Sequence, residues 1–287
     1  MVELTQEQLN TMKALETEML ATFVEVCHKL SLRYYMVGGT LLGAVRHQGF
    51  IPWDDDIDVA MPREDYEIFL REGQKYLPEH LFLQNLDTDP GYLMNFAKIR
   101  DNRTTFVEYA VRKRDMHHGV FIDIFPLDGY PEGEKAQKKM DFHQLIHKYR
   151  LRAAVEVPKE AQHSLPVEVG MRCVSALTCL IQPNFRKAQV AREQRHRAAA
   201  GSSLWANYCG AWGKKEIMPA EWYGQGVELD FEGLKIKGPE HWDKWLTQVY
   251  GDYMRLPPVE KRVAHHYAEA IDLETSYIEY NQNHLRK

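Results

Sequence analysis

The sequence contains few cysteines, and their spacing excludes two common ways of stabilising a small domain. Its 287 residues include four cysteines, at positions 27, 173, 179 and 209, and no two of them form a CxxC pair. Structural zinc sites need clustered cysteine or histidine ligands, and disulfide-rich domains need many more cysteines per residue. We therefore expect free thiols, as is usual in a reducing compartment.

A long apolar run is also missing. Crossing a bilayer takes about 20 consecutive apolar residues. The best candidate, segment 171–181, is shorter and contains Arg172. The start of the chain is polar and acidic, without the basic beginning and apolar centre of a signal peptide. The sequence predicts a cytoplasmic protein and leaves peripheral contact with the inner face of the membrane open.

An excess of positive charge is absent as well. The formal net charge is -5 and the isoelectric point is near 6.2. General binding to nucleic acid needs a strongly basic face, so we expect no nucleic-acid partner. Hydrophobic residues make up 44% of the chain, which is enough for one large globular domain or two smaller ones.

Hydrophobic periodicity predicts an α+β fold. Residues 5–31 have apolar positions at three- and four-residue spacing, which predicts a helix. Short apolar segments predict strands at 34–37, 56–61, 81–86, 95–100, 104–108 and 120–125. Residues 1–130 are therefore predicted to form a mixed sheet flanked by helices.

Residues 131–287 have a different pattern, which is mainly helical. Segment 201–226 is rich in Gly, Trp and Tyr and is predicted to be an irregular loop region. The pattern around Glu232 and Gly233 predicts a hairpin.

Four aspartates fall within positions 54–58, and this cluster indicates metal chemistry. Asp56 and Asp58 flank one apolar residue, and residues two apart on a strand face the same side, about 7 Å apart. Two such carboxylates suit Mg²⁺ (or Mn²⁺), which prefers hard oxygen ligands. Asp123 is the predicted third ligand, because an acid among apolar residues needs a partner. A solvated acidic turn is the alternative.

A glycine turn precedes these acids. Gly38 and Gly39 follow a predicted strand, and Thr40 is predicted to cap the helix that comes next. Backbone N–H groups at such a turn can approach a phosphate closely, although a purely structural turn is the alternative.

Several long motifs resemble the LicD family of the polymerase-beta-like nucleotidyltransferase superfamily. They are segments 38–47 (GGTLLGAVRH), 49–58 (GFIPWDDDID) and 119–128 (GVFIDIFPLD), followed by 250–253, 256–258 and the pair His265 and His266. The resemblance implies a nucleotidyltransferase-like fold and transfer of phosphocholine from a CDP-linked donor to a glycan or teichoic acid precursor. The clustered cysteines of zinc-binding members are absent from the sequence.

The same resemblance strengthens four further site predictions. Lys98 and Arg100 alternate on one predicted strand and are expected to bind donor phosphates. Arg46 is a second phosphate candidate. His266 is predicted to bind phosphate or acceptor, and Trp53 to contact a choline headgroup through its ring.

Other functions stay open at this stage. Phosphoethanolamine, phosphonate and polyol-phosphate donors fit the same motifs. A nucleotidyltransferase acting on a small molecule and a non-catalytic binding module are the remaining alternatives.

Overall fold

The computed structural model describes residues 2, 4–158, 164–181, 184, 188–192, 201–262 and 267–285. Its α-helices are α1 (Gln6–Leu30), α2 (Gly38–His47), α3 (Arg63–Glu72), α4 (Glu134–Ala154), α5 (Leu165–Ile181), α6 (Trp242–Tyr250) and α7 (Tyr277–His284). Its strands are β1 (Tyr35–Met36), β2 (Asp58–Pro62), β3 (Leu81–Gln84), β4 (Ala97–Asp101), β5 (Thr105–Glu108), β6 (Phe121–Tyr130), β7 (Leu204–Ala206), β8 (Ile217–Pro219), β9 (Val227–Phe231), β10 (Leu234–Gly238) and β11 (Ala268–Asp272).

The first helix confirms the periodicity seen in the sequence. Thr5 caps α1 by accepting a hydrogen bond from the Gln8 N–H, while the Gln8 side chain accepts one from the Thr5 N–H. This reciprocal arrangement satisfies two N–H groups that the helix itself leaves unpaired. The inward face of α1 carries Phe23, whose ring meets Tyr34 and Phe69 edge-on at centroid distances of 5.3 and 5.2 Å.

The central sheet is mixed, as predicted. Its strand order is β1-β2-β6-β4-β3; β2 and β6 run parallel, and the other neighbouring pairs run antiparallel. Every residue of β6 is buried, because β2 and β4 flank its first half. With helices packed on this sheet, the structure confirms the α+β class.

The second half of the chain contributes strands as well as helices. The predicted hairpin is present as β9 and β10, with Glu232 and Gly233 at the turn. β7 pairs with the end of β6, and β8 pairs with β7, so the sheet includes strands from both sides of residue 130. The boundary near residue 130 stays a prediction.

Strands β7 and β8 lie in segment 201–226, which was predicted to be an irregular loop region, and a third strand, β11, was not predicted either. Its five residues, AEAID, show no clear alternation of apolar and polar side chains. It forms because β5 offers an antiparallel partner far away in the sequence, with Ile271 opposite Phe106. Pairing of this kind depends on tertiary structure more than on local propensity.

Candidate active site

A cavity of about 600 Å³ lies at the end of the sheet where β2 and β6 begin. Residues from both halves of the chain line it: Val37, Gly38, Gly39, Leu42, Arg46, Ile51, Trp53, Asp54, Asp56, Asp58, Phe96, Asp123, Phe125, Asn207, Cys209, Gly210, Ala211, Trp212, Glu216, Tyr250, Asp252, Tyr253, Arg255, Pro257 and Lys261. A concave space with convergent charged groups is the usual form of a small-molecule site.

The structure brings Asp56, Asp58 and Asp123 together in this cavity. Asp58 and Asp123 are register partners on the parallel strands β2 and β6, so they lie side by side. The sequence predicted that Asp56 lies on this strand. The structure instead places it in the loop before the strand. The strand starts later because its register with β6 begins at Asp58, opposite Asp123, and β1 pairs only with Val59 and Ala60.

The neighbouring acids are also part of the site. Carboxylate oxygens of Asp54, Asp55 and Asp56 lie within 4.8 Å of one another, and Asp54 and Asp55 are buried. Within positions 54–58, the sequence pattern predicted only Asp56 and Asp58 as metal ligands. Concentrated carboxylate oxygens repel one another unless a cation is near, and hard oxygen donors fit Mg²⁺ or Mn²⁺. The residues present therefore fit a divalent metal.

The two glycines make room for these carboxylates. A side-chain carbon on Gly38 would lie 2.7 Å from the Asp58 Oδ2, and one on Gly39 would collide with the Asp54 Oδ2. Gly38 also has φ +57°, in the left-handed region that favours glycine. Helix α2 begins here, so its positive N-terminal end lies against two negative side chains, a favourable arrangement. Both glycines also line the cavity, as expected of a phosphate-binding turn.

Thr40 does not cap α2, and that prediction was wrong. The helix begins three residues earlier, with Val37 as the capping residue and no side-chain cap. Thr40 is buried, and its Oγ1 accepts a hydrogen bond from the Asp58 N–H at 2.7 Å. It thereby ties the start of β2 to α2. Thr40 is not among the residues that line the cavity.

Arg46, the phosphate candidate on α2, does line the cavity. Its Nη1 donates to the Tyr253 carbonyl oxygen at 3.0 Å, which holds the guanidinium in place. Arg255 and Lys261 line the cavity too, and sequence reasoning missed both. The signal was their position beside segment 256–258, one of the family-like motifs. Three cations thus share a space with the aspartates.

Lys98 and Arg100 share one face of β4, but they are placed differently from the prediction. Lys98 is buried, and its Nζ lies 2.8 Å from the Asp123 Oδ1. Arg100 is fully buried and does not line the cavity. Its guanidinium donates to Gln84, Glu108 and the Gly119 carbonyl oxygen. Lys98 therefore steadies a predicted metal ligand, and Arg100 holds the strands behind it.

The aromatic lining is mixed. Trp53 lines the cavity, as predicted for a headgroup contact, and the Arg262 Cζ lies 5.3 Å from its ring centroid. Phe96, Trp212 and Tyr250 are further aromatic lining residues. His266 lies outside the described residues, so the role predicted for it stays a prediction.

Glu216 is a cavity residue that no sequence motif indicated. The side chain is 3% exposed, and its Oε1 accepts a hydrogen bond from the Trp212 N–H at 2.9 Å. Burial raises the pKa of the Glu216 carboxyl to about 7, while hydrogen bonds from Trp212 and Asn207 act in the opposite direction. The carboxylate thus anchors segment 207–212, which lines the cavity.

Replacing Glu216 should change how stability depends on pH. The raised pKa means that folding favours the protonated form, so this stabilisation is present below the unfolded pKa near 4.5 and is lost as pH rises through about 7. At about pH 8.5 we expect the free energy of unfolding of Glu216→Gln to be about 2 to 3 kcal/mol higher than that of the unchanged chain. Urea unfolding at several pH values measures this difference.

The difference should nearly vanish at about pH 4, where both side chains are neutral in both states. The exposed Glu221→Gln is the matched control and should show no such pH-dependent difference. A Glu216→Gln effect of constant size across this pH range would contradict the assignment.

A second cavity, of about 490 Å³, adjoins the first. Phe96, Asn207, Cys209, Gly210 and Ala211 line both spaces, so segment 207–211 forms part of the wall between them. Its other lining residues come mainly from α4 and from segment 206–217.

Comparison with known proteins supports the family indicated by the motifs. The family model described as "LicD/FKTN/FKRP, nucleotidyltransferase domain" matches residues 31–166. The lipopolysaccharide cholinephosphotransferase LicD of Haemophilus influenzae is 34% identical over 251 residues, which cover 86% of this chain and 92% of that protein. The ribitol 5-phosphate transferase FKRP of Homo sapiens is 48% identical over 42 residues, 15% of this chain and 8% of that protein.

The Haemophilus match covers the aspartate-bearing first half and extends well beyond the family model's own range. One continuous alignment therefore includes cavity residues from both halves of the chain. Identity at this level over most of both proteins establishes that the chain is a member of the LicD family.

Proposed function

We propose that this enzyme transfers phosphocholine from a CDP-linked donor to a hydroxyl of a cell-surface glycan, such as a lipopolysaccharide or a teichoic acid precursor. The observation that carries the proposal is the single cavity in which Asp56, Asp58 and Asp123 face Arg46 and Lys261. The similarity to the Haemophilus cholinephosphotransferase supports the choice of headgroup.

The cations account for binding of the donor. A diphosphate bridge carries negative charge, and guanidinium and ammonium groups bind phosphate oxygens through charge-assisted hydrogen bonds. Arg46, Arg255 and Lys261 are the cavity cations suited to this role. Their positive charge also steers an anionic donor toward a cavity that the aspartates would otherwise make repulsive.

A divalent cation, Mg²⁺ or Mn²⁺, would be held by Asp56, Asp58 and Asp123. When bound, the metal ion would neutralise the charge that develops on the phosphate and would lower the pKa of a nearby hydroxyl. Asp54 joins these ligands in our proposal, because its carboxylate lies within 4.8 Å of that of Asp56 and lines the same cavity.

The transfer itself is a displacement at phosphorus. The acceptor hydroxyl oxygen forms a bond to the phosphorus of phosphocholine, the bond from that phosphorus to the bridging oxygen breaks, and CMP leaves. Asp123 either completes the metal site or accepts the hydroxyl proton, and Lys98, whose Nζ lies 2.8 Å from its Oδ1, keeps the carboxylate oriented. Most of the catalysis then comes from positioning and charge neutralisation.

The choline headgroup would bind against the aromatic part of the lining. A quaternary ammonium is attracted to the faces of aromatic rings, and Trp53, Trp212 and Tyr250 border the cavity. Ethanolamine or polyol headgroups gain less from such rings. This preference distinguishes phosphocholine from the other donors that share the same diphosphate.

A donor panel tests the proposal. The purified chain is mixed with Mg²⁺, a glycan acceptor lacking phosphocholine, and CDP-choline, CDP-ethanolamine or CDP-ribitol in turn. We expect acceptor-dependent release of CMP, fastest with CDP-choline, and loss of release when a chelator removes the metal. CMP release only from another donor would replace phosphocholine in the proposal.

Two other outcomes would overturn the reaction class. Release of pyrophosphate from a nucleoside triphosphate, without CMP formation from any CDP-linked donor, would indicate a nucleotidyltransferase. Tight binding of CDP-choline without turnover on any acceptor would indicate a binding module.

A further inference from the structure

Helix α5 has its polar and apolar faces reversed relative to a helix on a water-soluble core. Its buried side chains are Glu168, Ser175 and Thr178, at 6%, 5% and 5% exposure. Glu168 accepts two hydrogen bonds from the Arg152 Nη2 on α4, at 2.6 and 2.8 Å. The face of α5 that packs against the protein therefore has these polar side chains beside the partly buried Met171 and Cys179.

The opposite face of α5 is apolar and exposed. At about 100° per residue, Leu165, Val169, Cys173, Leu177 and Leu180 fall on one side, away from Glu168, Ser175 and Thr178. The four aliphatic residues of this set are 78%, 52%, 56% and 79% exposed, and Cys173 is exposed too. These five residues form the apolar stripe, which runs the length of the helix.

Helix α4, which packs against α5, is basic. It contains six Lys or Arg residues and two Asp or Glu residues, so its net charge is +4 in a chain whose net charge is -5. Its exposed side interleaves Lys135 and Lys139 with Phe142 and Leu145, which are 59% and 51% exposed. Arg150 is buried and Arg152 binds Glu168, so lysines supply the exposed charge. Apolar side chains beside clustered basic residues are the composition of helices that lie on anionic membranes.

We propose that α4 and α5 form a docking surface for an anionic lipid bilayer, with the apolar stripe inserted at the boundary between headgroups and acyl chains. Helix α5 has 17 residues, about 25 Å, and no helix among the described residues is long and apolar enough to cross a membrane. The surface therefore lies in the plane of the membrane. A second copy of the chain is a poor partner for this surface, because dimerisation would bring two basic α4 helices together.

This inference is independent of the proposed reaction, since it concerns binding to lipid alone. It predicts that the full chain sediments with vesicles of phosphatidylcholine mixed with phosphatidylglycerol. The double variant Val169→Glu, Leu177→Glu should lower the ratio of bound to free protein at least about tenfold, because it places two charges in the apolar stripe. Ile278→Glu, at an equally exposed apolar position on α7, is the control and should bind normally.

A second pair of variants tests the electrostatic part. Lys135→Gln and Lys139→Gln should each weaken binding about fivefold to vesicles containing phosphatidylglycerol, and much less to phosphatidylcholine alone. High salt should reproduce their effect on the unchanged chain, since it screens charges near the membrane surface.

The proposal is overturned if the unchanged chain fails to sediment with either kind of vesicle, or if the double variant, folded by its thermal unfolding curve, binds as well as the unchanged chain. It is also overturned if Ile278→Glu loses as much binding as the double variant. A dimer in vesicle-free buffer, seen by analytical ultracentrifugation and abolished by the double variant, would assign the stripe to a contact between copies of the chain.

Discussion

Asp58→Asn should lower the rate of phosphocholine transfer about 10³-fold or more. Asp58 lies beside Asp123 on the neighbouring strand and lines the cavity. Removing a carboxylate ligand costs several kcal/mol of transition-state stabilisation, and each 1.4 kcal/mol is about tenfold in rate. Affinity for Mn²⁺, measured by calorimetry, should fall together with the rate.

Stability separates loss of chemistry from loss of fold in this variant. Asn keeps the shape of Asp but removes one of four negative charges in positions 54–58, which lessens their mutual repulsion. The thermal unfolding temperature without added metal should therefore equal or exceed that of the unchanged chain. Asp230→Asn, an exposed carboxylate on β9, is the control and should keep full activity. A folded Asp58→Asn enzyme with an undiminished rate would remove Asp58 from the site.

Asp128→Ala should lower the free energy of unfolding by about 3 to 5 kcal/mol. Asp128 is fully buried on β6 and accepts hydrogen bonds from the Arg63 Nε at 2.6 Å and Nη2 at 2.9 Å. Arg63, at the start of α3, is 7% exposed. Truncating the acid removes two charge-assisted hydrogen bonds from a buried guanidinium, and a natural domain is stable by only about 5 to 15 kcal/mol. Urea unfolding measures the loss.

Two comparisons show whether the loss of these hydrogen bonds is responsible. The double variant Arg63→Met, Asp128→Leu replaces the pair by apolar side chains and should recover most of the stability. Asp230→Ala removes the exposed ion pair with Lys235 and should change stability by only about 0.5 kcal/mol. If Asp128→Ala is as stable as the double variant, then removing only one partner of the buried pair carries no extra loss of stability.

The sequence was most informative where local patterns decide the structure. The apolar run around Asp123 predicted β6 and placed one acid on it, and the glycine turn at Gly38 marked the start of α2 to within three residues. Alternation along β4 also predicted that Lys98 and Arg100 share a face.

Alternation could not reveal what covers that face. Glu108 on β5 lies against β4 and pairs with Arg100, which removes the guanidinium from the cavity. In the same way, Arg255, Lys261 and Glu216 reach the site only through the packing of the second half on the first. No periodicity records contacts between residues so far apart in the chain.

The position of these late residues has a consequence for synthesis on the ribosome. The aspartates emerge early, but part of the wall they face belongs to segments 207–216 and 250–261. While most of the chain is still being made, the acidic loop has no Arg255 or Lys261 nearby and no enclosed cavity. A nascent chain would thus expose its clustered aspartates before the cavity is enclosed, and a complete cavity would arise only with the last third of translation.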